Sequence, residues 1–383
     1  MSKFDEIRPF YDHEVNEALR GIARDPMMTA LMGFTFPDVD KQVWREQFKN
    51  IHSISDFQHQ FIAHTIRQIL AKSSEGLTTS GFEKLDPNTP YLFVSNHRDI
   101  VLDTSLLNLV LLEKGFIMTS SAIGDNLVQK TFLHVLAKLN RNFLVQRGLS
   151  IREQLKSSQT MSEYIEQLLH VEKRSVWIAQ REGRTKDGND ATQQGVLKML
   201  AMAAGDLSLT DYFKTLKIVP ISISYEYDPT DSLKMPQLLA RHRDEEYIKG
   251  KDEDFMTMLS GVLGQKKRIH IHAGTVLDAE LDDIAHLENK NKQLQAIAQM
   301  IDDSILQNYK LWPTKFIAYD LLHDTDTYAS EYTEQEKQLF VRRLEMRIDP
   351  SDAVSKEFFL AMYANPLINK MKYGQNPGSN VSQ

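Results

Sequence analysis

The sequence predicts an α/β fold: a mostly parallel sheet with flanking helices, framed by helical N- and C-terminal segments. Two features of residues 76–275 carry this. Short apolar runs bounded by turn residues recur through that stretch, and helical stretches separate several of them, the pattern of strand–helix–strand units. A third feature is that residues 1–75 and 276–383 show helical spacing with no strand-like run.

In the first segment Val15, Leu19 and Ile22 recur at helical spacing, as do Phe57, Phe61, Ile62, Thr65, Ile66 and Leu70. After the Asp86-Pro87-Asn88-Thr89-Pro90 turn signal, Tyr91–Ser95 reads as a buried strand. Phe116–Met118, Asn142–Gln146, Ser175–Ala179, Ile218–Tyr225 and Arg268–His272 read as further strands. Helices are expected at Thr104–Leu112, Leu127–Leu139, 151–170 and 193–204. From about 278 the series Leu281, Ile284, Leu287, Leu294, Ile297, Ile301 and Ile305 is helical, and residues 374–383 read as disordered.

Composition narrows the function. The net charge is −7, so no nucleic-acid partner is expected. There is no cysteine, which removes disulfides, thiolate metal sites and one class of nucleophile, and fits a reducing compartment. No apolar run of about 18 residues predicts a membrane-spanning helix. The first 20 residues carry acids and no apolar core, unlike a secretory signal, so a cytoplasmic location is expected.

Four stretches hold candidate chemistry. Ser95-Asn96-His97-Arg98-Asp99-Ile100-Val101-Leu102-Asp103 lies between a strand and a helix, where α/β sheets place reactive groups. His97 can serve there as a general base if a carboxylate orients its other nitrogen, and both Asp99 and Asp103 are near enough in sequence. The plainer reading is a loop histidine beside a helix-capping aspartate. No Gly-x-Ser-x-Gly elbow occurs, so the activated hydroxyl would be the substrate's own. Asn142–Gly148 ends a strand in Arg147, suited to bidentate phosphate binding or simply a surface arginine. Trp177–Gly188 gathers Arg181, Arg184 and Lys186 around Gly183, an anion loop or a solvated charged turn. Lys217–Ser224 is a strand with an interior Pro220, which implies an edge or a bend.

In this order and spacing the stretches resemble the four blocks of the glycerol-phosphate and lysophosphatidate acyltransferase family. Ser120–Leu127, with its Gly124-Asp125-Asn126-Leu127 run, and Gln193–Lys198 are similar to further family segments. The resemblance implies His97 as general base toward an acceptor hydroxyl, with Asn96 beside it. It implies Arg147, and Arg184 with Gly183, as the grip on the acceptor's phosphate, Glu182 as the block-three glutamate, and Pro220 shaping the pocket. Acyl-CoA or acyl-carrier protein would be the donor, and no cofactor or metal is implied. The family's aspartate follows its histidine after four residues, but Asp103 follows His97 after five. Either the loop carries one extra residue, the favoured reading, or Asp99 has the role. Block three lacks one residue between Glu182 and Arg184, so that Arg181 could occupy the glutamate's position.

The resemblance also implies an acyl thioester donor and a glycerolipid acceptor as partners, with reversible, peripheral contact at the inner membrane face. Rival readings are an acyltransferase for a non-phosphate lyso-lipid, a hydrolase, and a catalytically silent lipid-binding protein. The methionine-rich run Met27–Phe36 reads as core packing or as an interfacial patch or acyl-chain wall. His270 and His272 share one strand face, read as the solvent face at the outer end of the sheet rather than as zinc ligands. Lys266, Lys267 and Arg268 read as a solvated turn or a contact for anionic headgroups. Asp282-Asp283 and Asp302-Asp303 read as exposed helix faces.

Overall fold

Buried strands must offer apolar side chains to both sides, and this chain does so in register. Leu92, Val94, Val176, Ile178 and Ile218 belong to one core; Tyr91, Phe93, Trp177, Val219, Ile221 and Ile223 belong to the opposite one. The structure, a computed structural model describing residues 2–375, places these residues in one sheet between two helical layers. Among the described residues its strands are β1 (Ser74–Ser80), β2 (Leu92–Ser95), β3 (Ser120–Gly124), β4 (Asn142–Val145), β5 (Val176–Ala179), β6 (Ile218–Tyr225) and β7 (Lys267–Ala273). They lie in the order β1-β7-β6-β2-β5-β3-β4, and every pairing is parallel except β6 with β7.

β2 to β6 therefore share a direction, and their carboxyl ends converge on one edge of the sheet. Helices Ile151–His170, Gln194–Leu200 and Lys290–Asn308 cover one face, and Ala63–Ser73 and Leu102–Glu113 cover the other. The N-terminal helices form their own core around Trp44, Phe48, Phe57 and Phe61. Met28 and Met32 are buried within it, so the methionine-rich run is core packing. The last helices form a fourth core around Phe340, Phe359 and Tyr363 against Met235 and Leu238. No helix of the described residues is long and apolar enough to cross a membrane.

Several expectations need correction. Phe116–Met118 is not a strand; that segment follows Gly115, which has φ +75°, and Phe116 packs edge-on against Phe82. The strand is the polar Ser120–Gly124, hidden because Thr119 and Ser121 satisfy each other's hydroxyls at 3.0 Å. β1 is similarly polar and, among the described residues, has β7 as its only strand neighbour. Pro220 lies in an interior strand, not at an edge. Its carbonyl accepts from Gly274 N at 2.8 Å, just past the end of β7, so the missing N–H faces a side where the ladder has finished.

β1 lies outside β7, so His270 and His272 are not on the outermost strand; they share hydrogen bonds with Thr78 and Ser80 at 2.7–2.9 Å. The basic cluster is no solvated turn. Lys266 is buried and donates to Ser73 Oγ and two carbonyls, while Lys267 and Arg268 both pair with the fully buried Glu226. Asp302 is not on an exposed face either. It accepts from Thr192 N and Oγ1, at 2.8 and 2.6 Å, and burial pushes its carboxyl up to about 7. Of the expected disordered residues 374–383, residues 374–375 continue the helix Ala353–Gln375 and the rest lie outside the described residues.

Breaking a buried ion pair from one side leaves an uncompensated charge. Glu226→Ala, which strands Lys267 and Arg268, is expected to cost about 3 kcal/mol, read as a lower urea midpoint with an unchanged m-value.

Candidate active site

The turn after β2 wraps around one carboxylate. Asp103, in the first turn of the helix Leu102–Glu113, is fully buried. Its Oδ2 accepts from His97 Nδ1 at 2.8 Å, Arg98 N at 2.6 Å and Asp99 N at 3.0 Å. Its Oδ1 accepts the Tyr225 hydroxyl at 2.9 Å. Burial, and then the charge of Asp103, raise the Tyr225 phenol well above its ordinary value, so it stays a neutral donor. An ionised carboxylate only accepts, so in the neutral ring the proton belongs on Nδ1 and Nε2 is bare. The His97 ring sits edge-on to Trp177 at 5.5 Å and reaches the cleft beyond.

Asp99 does not touch His97. Its Oδ1 accepts from Val101 N and Leu102 N at 2.9 and 2.8 Å, a turn clasp ahead of the helix, and its Oδ2 lies against Gly261. Burial, and then Asp103, raise its pKa. Asp103 is therefore the histidine's partner. Asn96 is fully buried and faces away from the cleft: its amide pairs with Ile223 N and O at 2.8 and 2.9 Å, clipping β2 to β6 like one more rung of the sheet. Pro220 also lies outside the cleft lining, so neither residue shapes the pocket directly.

The cleft, about 560 Å³, opens along the carboxyl ends of β2, β3, β4 and β5. Its cations are Arg147 after β4, Arg181, Arg184 and Lys186 after β5, and Lys249. The 181–186 segment is thus a cleft wall, not a solvated turn, and Gly183 makes its bend with φ +70°. Arg147 pairs with the exposed Glu182, while Arg184 donates to Thr230 Oγ1 at 3.3 Å. Arg181 keeps a buried Nε with no partner among the described residues. Burial, with Arg184, Lys234 and Lys249 nearby, drives the Lys186 ammonium down to about 7. The neighbouring cations add to the effect of burial there, so an anion entering the cleft would meet positive charge.

Ile100, Ala122 and Ile123 line this cleft and also a narrower pocket of about 120 Å³. That pocket runs between the helices Ala63–Ser73 and Leu102–Glu113 and is walled by Ile66, Leu109, Leu133 and Met258. Sequence reading had not singled out Tyr225, Lys249 or Thr230. Tyr225 ends an apolar strand, which is its only signal; Thr230 lies far along the chain from Arg184, and the local Lys249–Asp254 pair gives no sign of the cleft.

The acyltransferase family model matches residues 76–224. Among solved structures the chain is similar to the 1-acyl-sn-glycerophosphate acyltransferase PlsC from Thermotoga maritima. The identity is 10% and the TM-score 0.39, over 76% of this chain and 94% of that chain. No curated protein matches the sequence.

Lys186 is protonated below about pH 7 and neutral above it. Sulfate keeps a constant charge across that range. Its affinity for the cleft, measured by calorimetry, is expected to fall as pH rises through about 7, and Lys186→Gln is expected to flatten that fall. A wild-type profile as flat as the variant's would remove Lys186 from the anion site.

Proposed function

From the match of residues 76–224 to the acyltransferase family model we propose that this chain is an O-acyltransferase that acylates a hydroxyl of glycerol 3-phosphate or a lysophospholipid such as lysophosphatidate. The donor is acyl-CoA or an acyl-carrier protein. The observation that carries the reading is the single cleft shared by the Asp103-held His97 and five cations.

In this mechanism the phosphate sits among Arg147, Arg184 and Lys186, displacing Glu182 from its exposed pair with Arg147. The acceptor hydroxyl then lies at His97 Nε2, which takes its proton as the oxygen attacks the thioester carbonyl. Asp103 stabilises the imidazolium without taking the proton. The tetrahedral intermediate collapses, the carbon–sulfur bond breaks, and the imidazolium returns a proton to the departing thiolate. The narrow pocket beyond Ile100 and Ile123 suits the acyl chain, because its walls are mostly apolar and it shares Ile100, Ala122 and Ile123 with the cleft. Exchange of acyl chains with a bilayer requires peripheral, reversible membrane contact.

The test is thiol release from acyl-CoA, repeated with acyl-carrier protein, with and without each acceptor. Release is expected to depend on a phosphate-bearing acceptor and to fall by roughly 10³-fold or more in His97→Ala. Release without acceptor would indicate a hydrolase, transfer only to a phosphate-free lyso-lipid would move the acceptor class, and lipid binding without release would indicate a silent binder. Filling the narrow pocket with Ser105→Phe is expected to shift donor preference toward shorter chains, read from competing acyl-CoA lengths; an unchanged preference would place the chain elsewhere.

A further inference from the structure

The turn after β6 joins parts of the chain that the reaction must hold together. Asp228, Thr230 and Asp231 are all buried there. Asp228 pairs with the buried ammonium of Lys234, which also donates to the Arg98 carbonyl at 3.3 Å, next to His97. Burial alone would raise the Asp228 carboxyl, but Lys234 holds it at about 2. Asp228 Oδ1 accepts the Thr230 hydroxyl at 3.1 Å, and that same hydroxyl oxygen accepts from Arg184 in the cleft wall. One turn thus touches both the base-bearing loop and an anion-facing arginine.

The last helices brace this turn from behind. Arg343 donates to Asp231 at 2.8 Å and to the Asp228 carbonyl at 2.7 Å. Tyr363 donates to Asp231 at 2.8 Å and accepts from Asp228 N at 3.1 Å. These residues lie beyond the matched segment 76–224, so the family domain does not contain the whole machinery that its cleft uses.

The geometry points to Thr230 as a positioning residue: its buried hydroxyl, oriented by Asp228, fixes the Arg184 guanidinium for the acceptor's phosphate. This deepens the proposed function and rests on it. An arginine held before the ligand arrives loses less side-chain freedom on binding, so the gain falls on acceptor affinity. The hydroxyl donates its own proton to Asp228 and offers its lone pair to Arg184, an order that valine cannot supply and serine can.

The test is Thr230→Val against Thr230→Ser, with steady-state kinetics and with glycerol 3-phosphate binding by calorimetry. The valine variant is expected to raise acceptor KM and weaken binding by roughly 3- to 10-fold, with donor KM and kcat unchanged and serine restoring the wild-type values. Where valine does not fold, Thr230→Ala makes the same comparison without added bulk. A purely structural role would lower the melting temperature and leave acceptor KM and affinity at wild-type values, and that result overturns the proposal. So would a serine variant as impaired as valine. A wild type that acylates only phosphate-free acceptors overturns the proposed acceptor class, and the role of Thr230 falls with it; the two failures are told apart by the wild-type assay.

Discussion

The carboxylate of Asp103 is the point on which the site depends. It is fully buried and accepts four hydrogen bonds, from His97, two consecutive backbone amides and the Tyr225 hydroxyl. Removing such a group would leave several donors unsatisfied at once, so the loop from Asn96 to Asp103 has one low-energy shape. That shape fixes the histidine's tautomer, turns its free nitrogen to the cleft and starts the next helix. Asn96, clipped to β6 just before it, passes the rigidity of the sheet into the turn.

The parallel sheet explains why distant residues meet. β2 to β6 all point their carboxyl ends the same way, so the loops after them gather His97, Arg147, Arg184 and Thr230 on one edge. β7 runs against them and delivers Lys267 and Arg268 to the same edge, where Glu226 neutralises both. The cleft cations, by contrast, are left partly unmatched. Burial first, and that imbalance second, depress Lys186.

Much of this was legible in the sequence, for physical reasons. Strands buried on both faces need continuous apolar runs, and β2, β5 and β6 were found almost to the residue. β1 and β3 escaped because serines, with threonines in β1, interrupt the apolar run that a buried strand is expected to show. Of the residues singled out in the four blocks, His97, Arg147, Arg181, Glu182, Gly183 and Arg184 line one cleft, while Asn96 and Pro220 do not. Spacing left Asp99 and Asp103 both open, and only the folded loop shows two backbone amides closing on Asp103 while Asp99 clasps its own turn. Thr230, Lys234 and Tyr363 carried no signal, since the contacts that tie them to the site, to Arg184, the Arg98 carbonyl and Asp228 N respectively, span tens to more than a hundred residues.

The most direct test of the Asp103–His97 arrangement is the ring-nitrogen NMR spectrum of His97, assigned by comparison with His97→Ala. At a pH where the ring is neutral, the account predicts a proton on Nδ1, a bare Nε2, and a hydrogen-bonded Nδ1 proton signal that Asp103→Asn abolishes and Asp99→Asn leaves in place. A proton on Nε2, or a signal lost in Asp99→Asn and retained in Asp103→Asn, would contradict it.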